Sequence, residues 1–246
     1  MTVRELLDRF VFVRKCGGCG ELLAYEDSQS AFCPTCRLKW NQAKVEPCPV
    51  CYQEAVACAC MPKGLSATGA LSLRKLTFYS PKRMKEPQNQ VIYRIKHEPN
   101  RRISAFLAGE LRVAVKEELK VLEADPTSDA LLVFVPRGRK AAAKYGFDQS
   151  ELICRELSAQ TGIPYLPILK RKRGGKEQKK LDKTRRFRNI RSLFYVNPKI
   201  DLENIKGKCV FLLDDVVTTG ASMAACVHLV KESGAKTVIC LCVAQN

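Results

Sequence analysis

The feature that most constrains this chain is a group of eight cysteines within residues 16–60, arranged as four closely spaced pairs. They are Cys16, Cys19, Cys33, Cys36, Cys48, Cys51, Cys58 and Cys60. A CxxC turn presents two thiolates to one tetrahedral ion. Four pairs in one segment favour metal binding over a thioredoxin-like redox site, which needs a single pair on a strand–helix unit. The group therefore predicts one or two structural zinc sites, because four thiolates per ion leave no position open for a substrate.

The spacing leaves the pairing of the cysteines open. Sequential sites, an interleaved cross-brace and a single occupied site are all compatible with it, since the final CxC pair is tighter than the other three. Residues 1–60 contain too few apolar residues for a core of their own, so bound metal is expected to supply the folding free energy. We therefore predict a cysteine-rich zinc-binding domain over residues 1–62 and a second domain over residues 63–246.

The chain carries a net charge of +17, and more than half of it lies in residues 170–191. This segment holds 12 Lys and Arg against 2 acidic residues, a density that repels itself without an anion to bind. It favours a phosphate-clasping loop or a nucleic-acid contact, and the alternative is a solvated surface loop. The cysteine-rich region is formally neutral. There, Trp40 with Arg37 and Lys39 either forms a local stacking patch or packs against the next domain.

Composition excludes two broad classes of protein. Hydrophobic residues make up 46% of the chain and charged residues 27%, which is ordinary for a folded protein and excludes a wholly disordered one. No stretch approaches the roughly 20 apolar residues that a membrane span needs. The N-terminal segment has charges inside its short apolar run and no small-residue cleavage site, so we expect a cytoplasmic protein.

Apolar runs alternate with helical patterns through the second half of the chain. Residues 61–80 are interpreted as a linker, and residues 88–98 as a strand or a short helix. We expect helices over 101–123, 148–161 and 221–233, and strands over 130–135, 192–197, 209–213 and 237–244. This alternation is typical of a doubly wound α/β domain with a mostly parallel sheet. Four later cysteines, Cys209, Cys226, Cys240 and Cys242, lie in apolar patterns and are expected to be core residues.

The segment from Val210 to Ser222 predicts a phosphate site. A buried strand ends in Asp214 and Asp215, and a helix starts after Thr218, Thr219 and Gly220. In open α/β sheets, ligands bind at the carboxyl ends of strands, and the amides at a helix start form an anion cradle. The two acids would repel a phosphate, but they suit ribose hydroxyls or a magnesium ion held through water. A ribose between a phosphate and a metal-bound diphosphate fits this arrangement.

The stretch DDVVTTGAS resembles the PRPP-binding motif of type I phosphoribosyltransferases, and the chain as a whole resembles the ComF/ComFC family of competence proteins. The resemblance also rests on Val135-Pro136, on KYGFDQ at 144–149, on the eight cysteines, and on Gln178, Leu181, Arg186 and Asn189. It covers nearly all of the chain. It implies a zinc finger before a type I phosphoribosyltransferase-type domain, natural transformation as the biology, and single-stranded DNA and a DNA-uptake helicase or recombination machinery as partners.

This resemblance implies a site for PRPP or ribose 5-phosphate with Mg²⁺, and a basic loop that closes over it. The ligand-binding residues would be Pro136, Arg137, Asp214, Asp215, Val216, Val217, Thr218, Thr219, Gly220, Ala221 and Ser222. The basic-loop residues would be Arg171, Arg173, Lys176, Gln178, Lys179, Lys180, Arg186 and Asn189. The turn at 136–140 is expected to hold diphosphate. Catalytic residues are not assigned beyond the candidates Asp214 and Asp215.

The chain departs from the family at two positions beside the expected diphosphate turn. Tyr145 stands where the family usually has Arg, and Asp148 where it usually has Asn, which makes this side of the site less positive. Two functions of different class follow. The first is a DNA-uptake protein that binds single-stranded DNA and keeps a PRPP or ribose 5-phosphate site. The second is an active phosphoribosyltransferase, of the glycosyltransferase class, acting in nucleotide metabolism on an unidentified acceptor. The absence of a nucleobase-recognition motif favours the first.

Overall fold

The computed structural model describes residues 14–172 and 192–246. Its helices are α1 (Pro34–Lys44), α2 (Lys63–Ser66), α3 (Pro87–His97), α4 (Arg101–Val121), α5 (Arg139–Tyr145), α6 (Gln149–Thr161) and α7 (Ala221–Glu232). Its strands are β1 (Ser72–Phe78), β2 (Ala130–Phe134), β3 (Leu169–Arg171), β4 (Phe194–Val196), β5 (Cys209–Val217) and β6 (Thr237–Gln245). Two short 3-10 turns span Pro81–Arg83 and Leu202–Asn204.

Four of the strands form a parallel sheet in the order β1-β6-β5-β2. β3 and β4 pair separately as an antiparallel ribbon. The parallel sheet with helices between its strands confirms the doubly wound α/β class. Because β2 and β5 are parallel neighbours, the turn after β2 and the loop after β5 leave the sheet side by side at its carboxyl edge, where such folds bind ligands.

The two faces of the sheet are buried by different helices. Phe211 and Leu213 of β5 belong to a core that includes residues of α4 and α6, whereas Val210 and Leu212 belong to a core with α7. This alternation follows from the period of two along a strand. Each fully buried Leu or Phe stabilises the fold by roughly 1.5–3 kcal/mol. Cys209, Cys226, Cys240 and Cys242 are all buried in these cores, as predicted.

The ends of helix α6 agree with the sequence prediction. The Asp148 carboxylate caps the helix by accepting hydrogen bonds from the backbone N–H groups of Ser150 and Glu151. Gly162 follows the last turn with φ of 77°, the left-handed conformation that ends many helices. Such an N-cap stabilises a helix by ~1 kcal/mol. The turn after β2 is attached to the same carboxylate, so this cap also fixes part of the site.

The cysteine-rich region shares a core with the sheet-bound helix α4. Trp40 is fully buried, with its ring centroid 5.4 Å from Phe32 and 5.5 Å from Phe106 of α4. Its Nε1 donates to the Glu110 carboxylate at 3.3 Å. The guanidinium of Arg37 lies over the Phe106 ring at 4.7 Å. Trp40 therefore packs against the next part of the chain, and the alternative of an exposed stacking patch is wrong.

Two boundaries differ from the sequence predictions, and one alternative left open by the sequence is decided. Residues 61–80 are not simply a linker, because they contain α2 and the strand β1. β1 was hidden because Lys75 interrupts its apolar pattern although this side chain is buried. Residues 88–98 were predicted as a strand or a short helix, and the helix is confirmed, because α3 spans residues 87–97. β5 continues to Val217, four residues beyond the predicted apolar strand 209–213, so the acidic pair and the two residues after it lie within the strand.

Candidate functional site

The acidic pair at the end of β5 is held by two neighbouring helices. Asp215 is buried, and its Oδ2 accepts a hydrogen bond from Gln149 Nε2 at 3.0 Å and forms an ion pair with Lys96 Nζ at 3.2 Å. Asp214 Oδ1 accepts from the Ser150 hydroxyl at 3.4 Å and from the backbone N–H of Asp215 at 2.9 Å. The start of α6 and the end of α3 therefore orient both carboxylates at the carboxyl edge of the sheet.

The environment of Asp214 resists a negative charge. Burial, followed by the charge of neighbouring Asp215, raises the pKa of Asp214 well above its usual value. Lys96 opposes this shift. Two adjacent carboxylates in such a place are stabilised by a cation or by hydroxyl donors that share their charge. A divalent ion or ribose hydroxyls at this pair stay a prediction of the sequence analysis.

The loop after β5 joins the strand to helix α7. Thr218 and Thr219 have exposed side chains, and Gly220 is the N-cap residue of α7 with φ of 74°. A Cβ on Gly220 would approach side-chain carbons of Pro62 and Leu65 to 3.3 Å, so glycine is required here by close packing as well as by backbone conformation. The first N–H groups of the 12-residue helix have no partner within the helix, and this is the arrangement that binds phosphate groups.

The turn after β2 lies beside this loop. The backbone N–H of Arg137 donates to Asp148 Oδ2 at 2.7 Å, and its guanidinium lies over the rings of Tyr145 at 5.1 Å and Phe147 at 5.6 Å. Burial raises the pKa of Asp148, although three backbone N–H groups and Arg137 oppose the shift. The Asp148 carboxylate thus serves as a cap for the turn and for α6.

A cavity of about 460 Å³ opens next to the turn after β2. Pro136, Arg137 and Asp148 line one side of it, and Arg171 and Tyr195 of the β3–β4 ribbon line the other. Arg171 packs with its guanidinium 5.3 Å from the centre of the Phe194 ring. The remaining residues predicted for the basic loop, which are Arg173, Lys176, Gln178, Lys179, Lys180, Arg186 and Asn189, lie outside the described residues.

The eight cysteines form two groups of four, in sequential order. The first cluster is Cys16, Cys19, Cys33 and Cys36, and the second cluster is Cys48, Cys51, Cys58 and Cys60. Within each cluster the four Sγ atoms lie within 4.8 Å of one another, so each cluster could hold a metal ion. Sequential pairing is the simplest of the three arrangements left open by the sequence, and it is the one that the fold brings together.

Backbone N–H groups surround the first sulfur of each cluster. Cys16 Sγ accepts from Gly18 at 3.4 Å and from Cys33 at 3.3 Å, and Cys48 Sγ accepts from Val50 at 3.4 Å. Burial raises the pKa of both thiols, but backbone N–H donors outweigh it and lower the pKa to about 7 for Cys16 and about 6 for Cys48. These donors favour the thiolate that a zinc ion requires. Four sulfurs without a carboxylate or imidazole fit a structural zinc site.

Two lysines near these sites were not found by sequence analysis. Lys96 reaches the acidic pair from the last turn of α3, a segment whose structure the sequence left open. Lys75 lies in β1 and is buried, and its Nζ donates to the Cys58 carbonyl at 2.9 Å, to Cys58 Sγ at 3.2 Å and to the Cys60 carbonyl at 3.1 Å. A lysine within an otherwise apolar strand was the available signal, since buried lysines almost always have partners.

Residues 149–246 match the family model of the phosphoribosyl transferase domain. The matched segment runs from α6 to β6 and includes the acidic pair and the loop before α7. The fold is therefore a parallel α/β sheet of the phosphoribosyltransferase type, preceded by a cysteine-rich region whose clusters are compatible with zinc.

Several similar proteins carry one name. The DNA utilization protein YhgH of Salmonella typhi is 27% identical over 217 residues, which cover 86% of this chain and 84% of that protein. YhgH of Shigella flexneri is 29% identical over 163 residues, or 63% of this chain and 67% of that protein. YhgH of Salmonella typhimurium is 32% identical over 114 residues, or 45% and 48% of the two chains. The sequence similarity thus includes proteins named for DNA utilization.

Two solved structures align with 57% of this chain. The allosteric regulatory enzyme of purine biosynthesis aligns with a TM-score of 0.37 at 18% identity, and the alignment covers 26% of that enzyme's chain. The purine phosphoribosyltransferase of Pyrococcus horikoshii aligns with a TM-score of 0.30 at 19% identity over 84% of its chain. In the described parts of the chain, 14–172 and 192–246, no helix is long and apolar enough to cross a membrane.

Proposed function

We propose that this protein handles single-stranded DNA during DNA uptake and binds PRPP or ribose 5-phosphate at the carboxyl edge of its sheet. The observation that carries the ligand half of this proposal is the acidic pair followed by the Thr218–Gly220 loop at the start of α7. The start of α7 would bind the phosphate of a phosphorylated ribose, because its N–H groups prefer anions. The two carboxylates before it would bind the ribose hydroxyls or a cation.

The ligand would lie across the loop with its 5′-phosphate at the start of α7. The N–H groups of the first turn and the hydroxyls of Thr218 and Thr219 would donate to it. Asp214 and Asp215 would accept hydrogen bonds from the ribose hydroxyls, or hold Mg²⁺ through water, and that ion would neutralise part of the diphosphate charge. Pro136 and Arg137, in the adjacent turn, would face the diphosphate.

The DNA half of the proposal rests on similarity and on charge. The relatives named DNA utilization protein cover most of this chain in the longest alignment. The net charge is +17, with 12 of the 42 Lys and Arg in residues 170–191. Such a basic loop would neutralise backbone phosphates without reading sequence. A DNA-uptake helicase or recombination machinery would be the protein partner.

Zinc would be structural in this protein. We propose that residues 1–62 form a zinc-binding unit with one Zn²⁺ ion in each cluster, docked on a unit formed by residues 63–246. The four thiolates of each cluster would complete a tetrahedral site, so zinc would fold this region and take no part in chemistry. Eight metal-binding thiols remain reduced in the cytoplasm, which is the compartment that we propose.

The test of the ligand site is titration calorimetry with PRPP and ribose 5-phosphate, with and without Mg²⁺. Thr219→Ala should weaken binding by about 1–3 kcal/mol, because a hydrogen bond to a charged group is lost. Thr237→Ala is the matched control, because Thr237 starts β6 at the opposite edge of the sheet. Asp214→Asn with Asp215→Asn should abolish the dependence on Mg²⁺. Unchanged PRPP binding in both test variants would refute the site.

An active phosphoribosyltransferase is the second candidate, favoured by the cavity of about 460 Å³ beside the turn that would hold diphosphate. In that reaction, a nucleophile in the cavity would bond to C1 of the ribose as the bond from C1 to diphosphate breaks. Arg171, at the end of the basic loop, would stabilise the departing charge. Diphosphate release from PRPP, measured with and without purine and pyrimidine bases, distinguishes the two functions. Tight PRPP binding without release supports the binding protein.

A further inference from the structure

Three aromatic side chains meet on the surface near the site, outside the Thr218–Gly220 loop, which we refer to as the phosphate loop. Tyr93 and His97 are one turn apart on α3, and their rings stack with centroids 4.2 Å apart at an angle of 35°. Tyr145, at the end of α5, meets His97 edge-on with centroids 5.2 Å apart. The side chain of Tyr93 is the outermost, at 51% exposed. We refer to Tyr93, His97 and Tyr145 as the aromatic patch.

Cationic groups adjoin the aromatic patch. Lys144 Nζ lies 4.9 Å from the Tyr145 ring centre, and the Arg137 guanidinium lies 5.1 Å from it. Arg137 also donates to the backbone carbonyl of Lys96 at 3.2 Å, which ties the turn after β2 to the end of α3. The patch therefore combines an exposed ring with positive charge. Sites that bind single-stranded nucleic acid combine the same two features, because bases stack on rings and phosphates bind cations.

The chemistry of the patch indicates the kind of partner. Single aromatic residues on a surface are common, but contiguous rings next to cations mark an interaction site. An apolar protein partner would have to desolvate Lys144 and Arg137, which costs free energy. A nucleic acid would place phosphates beside these groups instead. Bases paired in a duplex have their faces covered by their neighbours, so the open ring of Tyr93 favours unpaired bases.

We propose that the aromatic patch is a base-stacking platform for single-stranded DNA, with the outer face of Tyr93 holding a base and with Lys144 and Arg137 beside the DNA backbone. This inference rests on the DNA-binding half of the proposed function and names a contact for it. The platform adds affinity that does not depend on salt, whereas the basic residues of 170–191 contribute through phosphate neutralisation. Its position beside Lys96 and Arg137 brings the bound strand to the same edge of the sheet as the phosphate loop.

The first experiment measures fluorescence anisotropy of a labelled oligo-dT with the full-length, zinc-loaded protein over a range of NaCl concentrations. Tyr93→Ala should weaken binding about fivefold or more at every salt concentration, because loss of one stacking ring costs at least a factor of this size. The slope of log affinity against log salt should stay the same. Tyr93→Phe keeps the ring and should bind like the wild type.

A matched control comes from the cysteine-rich region. Tyr52 is 81% exposed and lies outside α3 and α5, the helices that carry the patch, so Tyr52→Ala removes an exposed tyrosine that is not part of the platform. Its affinity for oligo-dT should equal that of the wild type. Zinc content and PRPP binding of Tyr93→Ala should also be unchanged, because Tyr93 contacts neither the clusters nor the phosphate loop in the arrangement proposed above. These readouts separate loss of stacking from loss of folding.

The second experiment asks whether a base contacts residue 93 directly. The natural Trp40 is the single tryptophan and is fully buried, so Tyr93→Trp introduces an exposed reporter. Stacking on a base should quench its fluorescence on titration with oligo-dT. An oligonucleotide of abasic sites keeps the phosphates but lacks bases; it should not quench the reporter, and it should bind the wild type and Tyr93→Ala equally.

The platform would be refuted if the Tyr93→Ala, Tyr145→Ala double variant bound oligo-dT with wild-type affinity, or if Tyr93→Phe lost as much affinity as Tyr93→Ala. It would also be refuted if the abasic strand quenched the Tyr93→Trp reporter, or if the wild type bound duplex DNA as tightly as oligo-dT. Failure of the wild type to bind oligo-dT at all would refute the DNA-binding function itself. Normal wild-type binding with an unaffected double variant would refute the platform and leave the proposed function standing.

Discussion

Replacing Lys75 with methionine should weaken zinc binding at the second cluster. Lys75 lies in strand β1 and is 1% exposed, and the three hydrogen bonds that its ammonium group donates go to Cys58 and Cys60. Four thiolates around one Zn²⁺ ion carry a net charge of −2. A buried cation 3.2 Å from Cys58 Sγ offsets part of that charge and fixes the segment that supplies two ligands.

The expected magnitude follows from these contacts. Methionine keeps the aliphatic stem but removes the three hydrogen bonds that the ammonium group donates, and it leaves two carbonyl groups without that donor. Residues that orient metal ligands from outside the coordination sphere typically contribute 10–100-fold in metal affinity. We therefore expect the second cluster to lose ~1.4–2.8 kcal/mol of zinc-binding free energy. The folded protein should lose about 3–5 kcal/mol in unfolding free energy, as when one partner of a buried charge interaction is removed.

Zinc transfer to a chromophoric chelator measures the first quantity, and urea unfolding measures the second. The wild type should release zinc in two phases, one from each cluster, and Lys75→Met should accelerate one phase at least tenfold. Lys116→Met is the control, because it makes the same chemical change at a lysine of α4 that is exposed, whereas Lys75 is buried. If Lys75→Met releases zinc at the wild-type rate, then Lys75 does not compensate the charge of the cluster.

Three further predictions concern metal, DNA and the acidic pair. Metal analysis should find close to two zinc ions per chain; a value near one would mean that one cluster alone is a true site, and eight free thiols in folded, metal-free protein would exclude both. The second variant replaces five basic residues with alanine: Arg171, Lys172, Arg173, Lys179 and Lys180. The log–log slope of single-strand affinity against salt should become flatter by about 0.7 for each DNA phosphate that is no longer neutralised. An unchanged slope would indicate that the main DNA contact lies elsewhere, with residues 74–102 as the next candidate. Lys96→Met should tighten Mg²⁺ binding about two- to fivefold in calorimetry, because Lys96 is a half-exposed ion-pair partner of Asp215 whose interaction is worth at most ~1 kcal/mol. Weaker Mg²⁺ binding in this variant would contradict the idea that Lys96 competes with the ion for Asp215.

Local patterns were sufficient for much of the fold. The helix after Asp148 begins at an N-cap that the sequence signals directly, and it ends at a glycine with positive φ. The apolar runs in β2, β5 and β6 are continuous because these strands are buried on both faces, which is the expected pattern for a parallel sheet. The loop between β5 and α7 could also be predicted from the sequence, because its threonines and glycine and the acids before it are adjacent in the chain.

Residues that act through tertiary contacts could not be found in this way. β1 contains Arg74 and Lys75, so its hydrophobic pattern is broken by a charge whose partners lie in another part of the chain. Lys96 reaches Asp215 across more than a hundred residues, and no local pattern encodes that distance. The pairing of the cysteines was open for a similar reason, because spacing limits which sulfurs can meet but does not decide which do.

The short segment that contains Pro62 and α2 follows the second cluster directly and packs against the phosphate loop. Pro62 follows Cys60 by two residues and begins the turn of α2, and Pro62 and Leu65 pack so closely on Gly220 that a Cβ there would approach them to 3.3 Å. The cluster also contacts β1, the edge strand of the sheet, because Lys75 of β1 donates to the Cys58 carbonyl. Zinc at the second cluster would therefore hold α2 against the loop that begins α7, and its loss would loosen the cradle as well as the edge of the sheet. If the loop binds phosphate as we propose, the cysteine-rich region, which shares a core with the sheet, would also support that site.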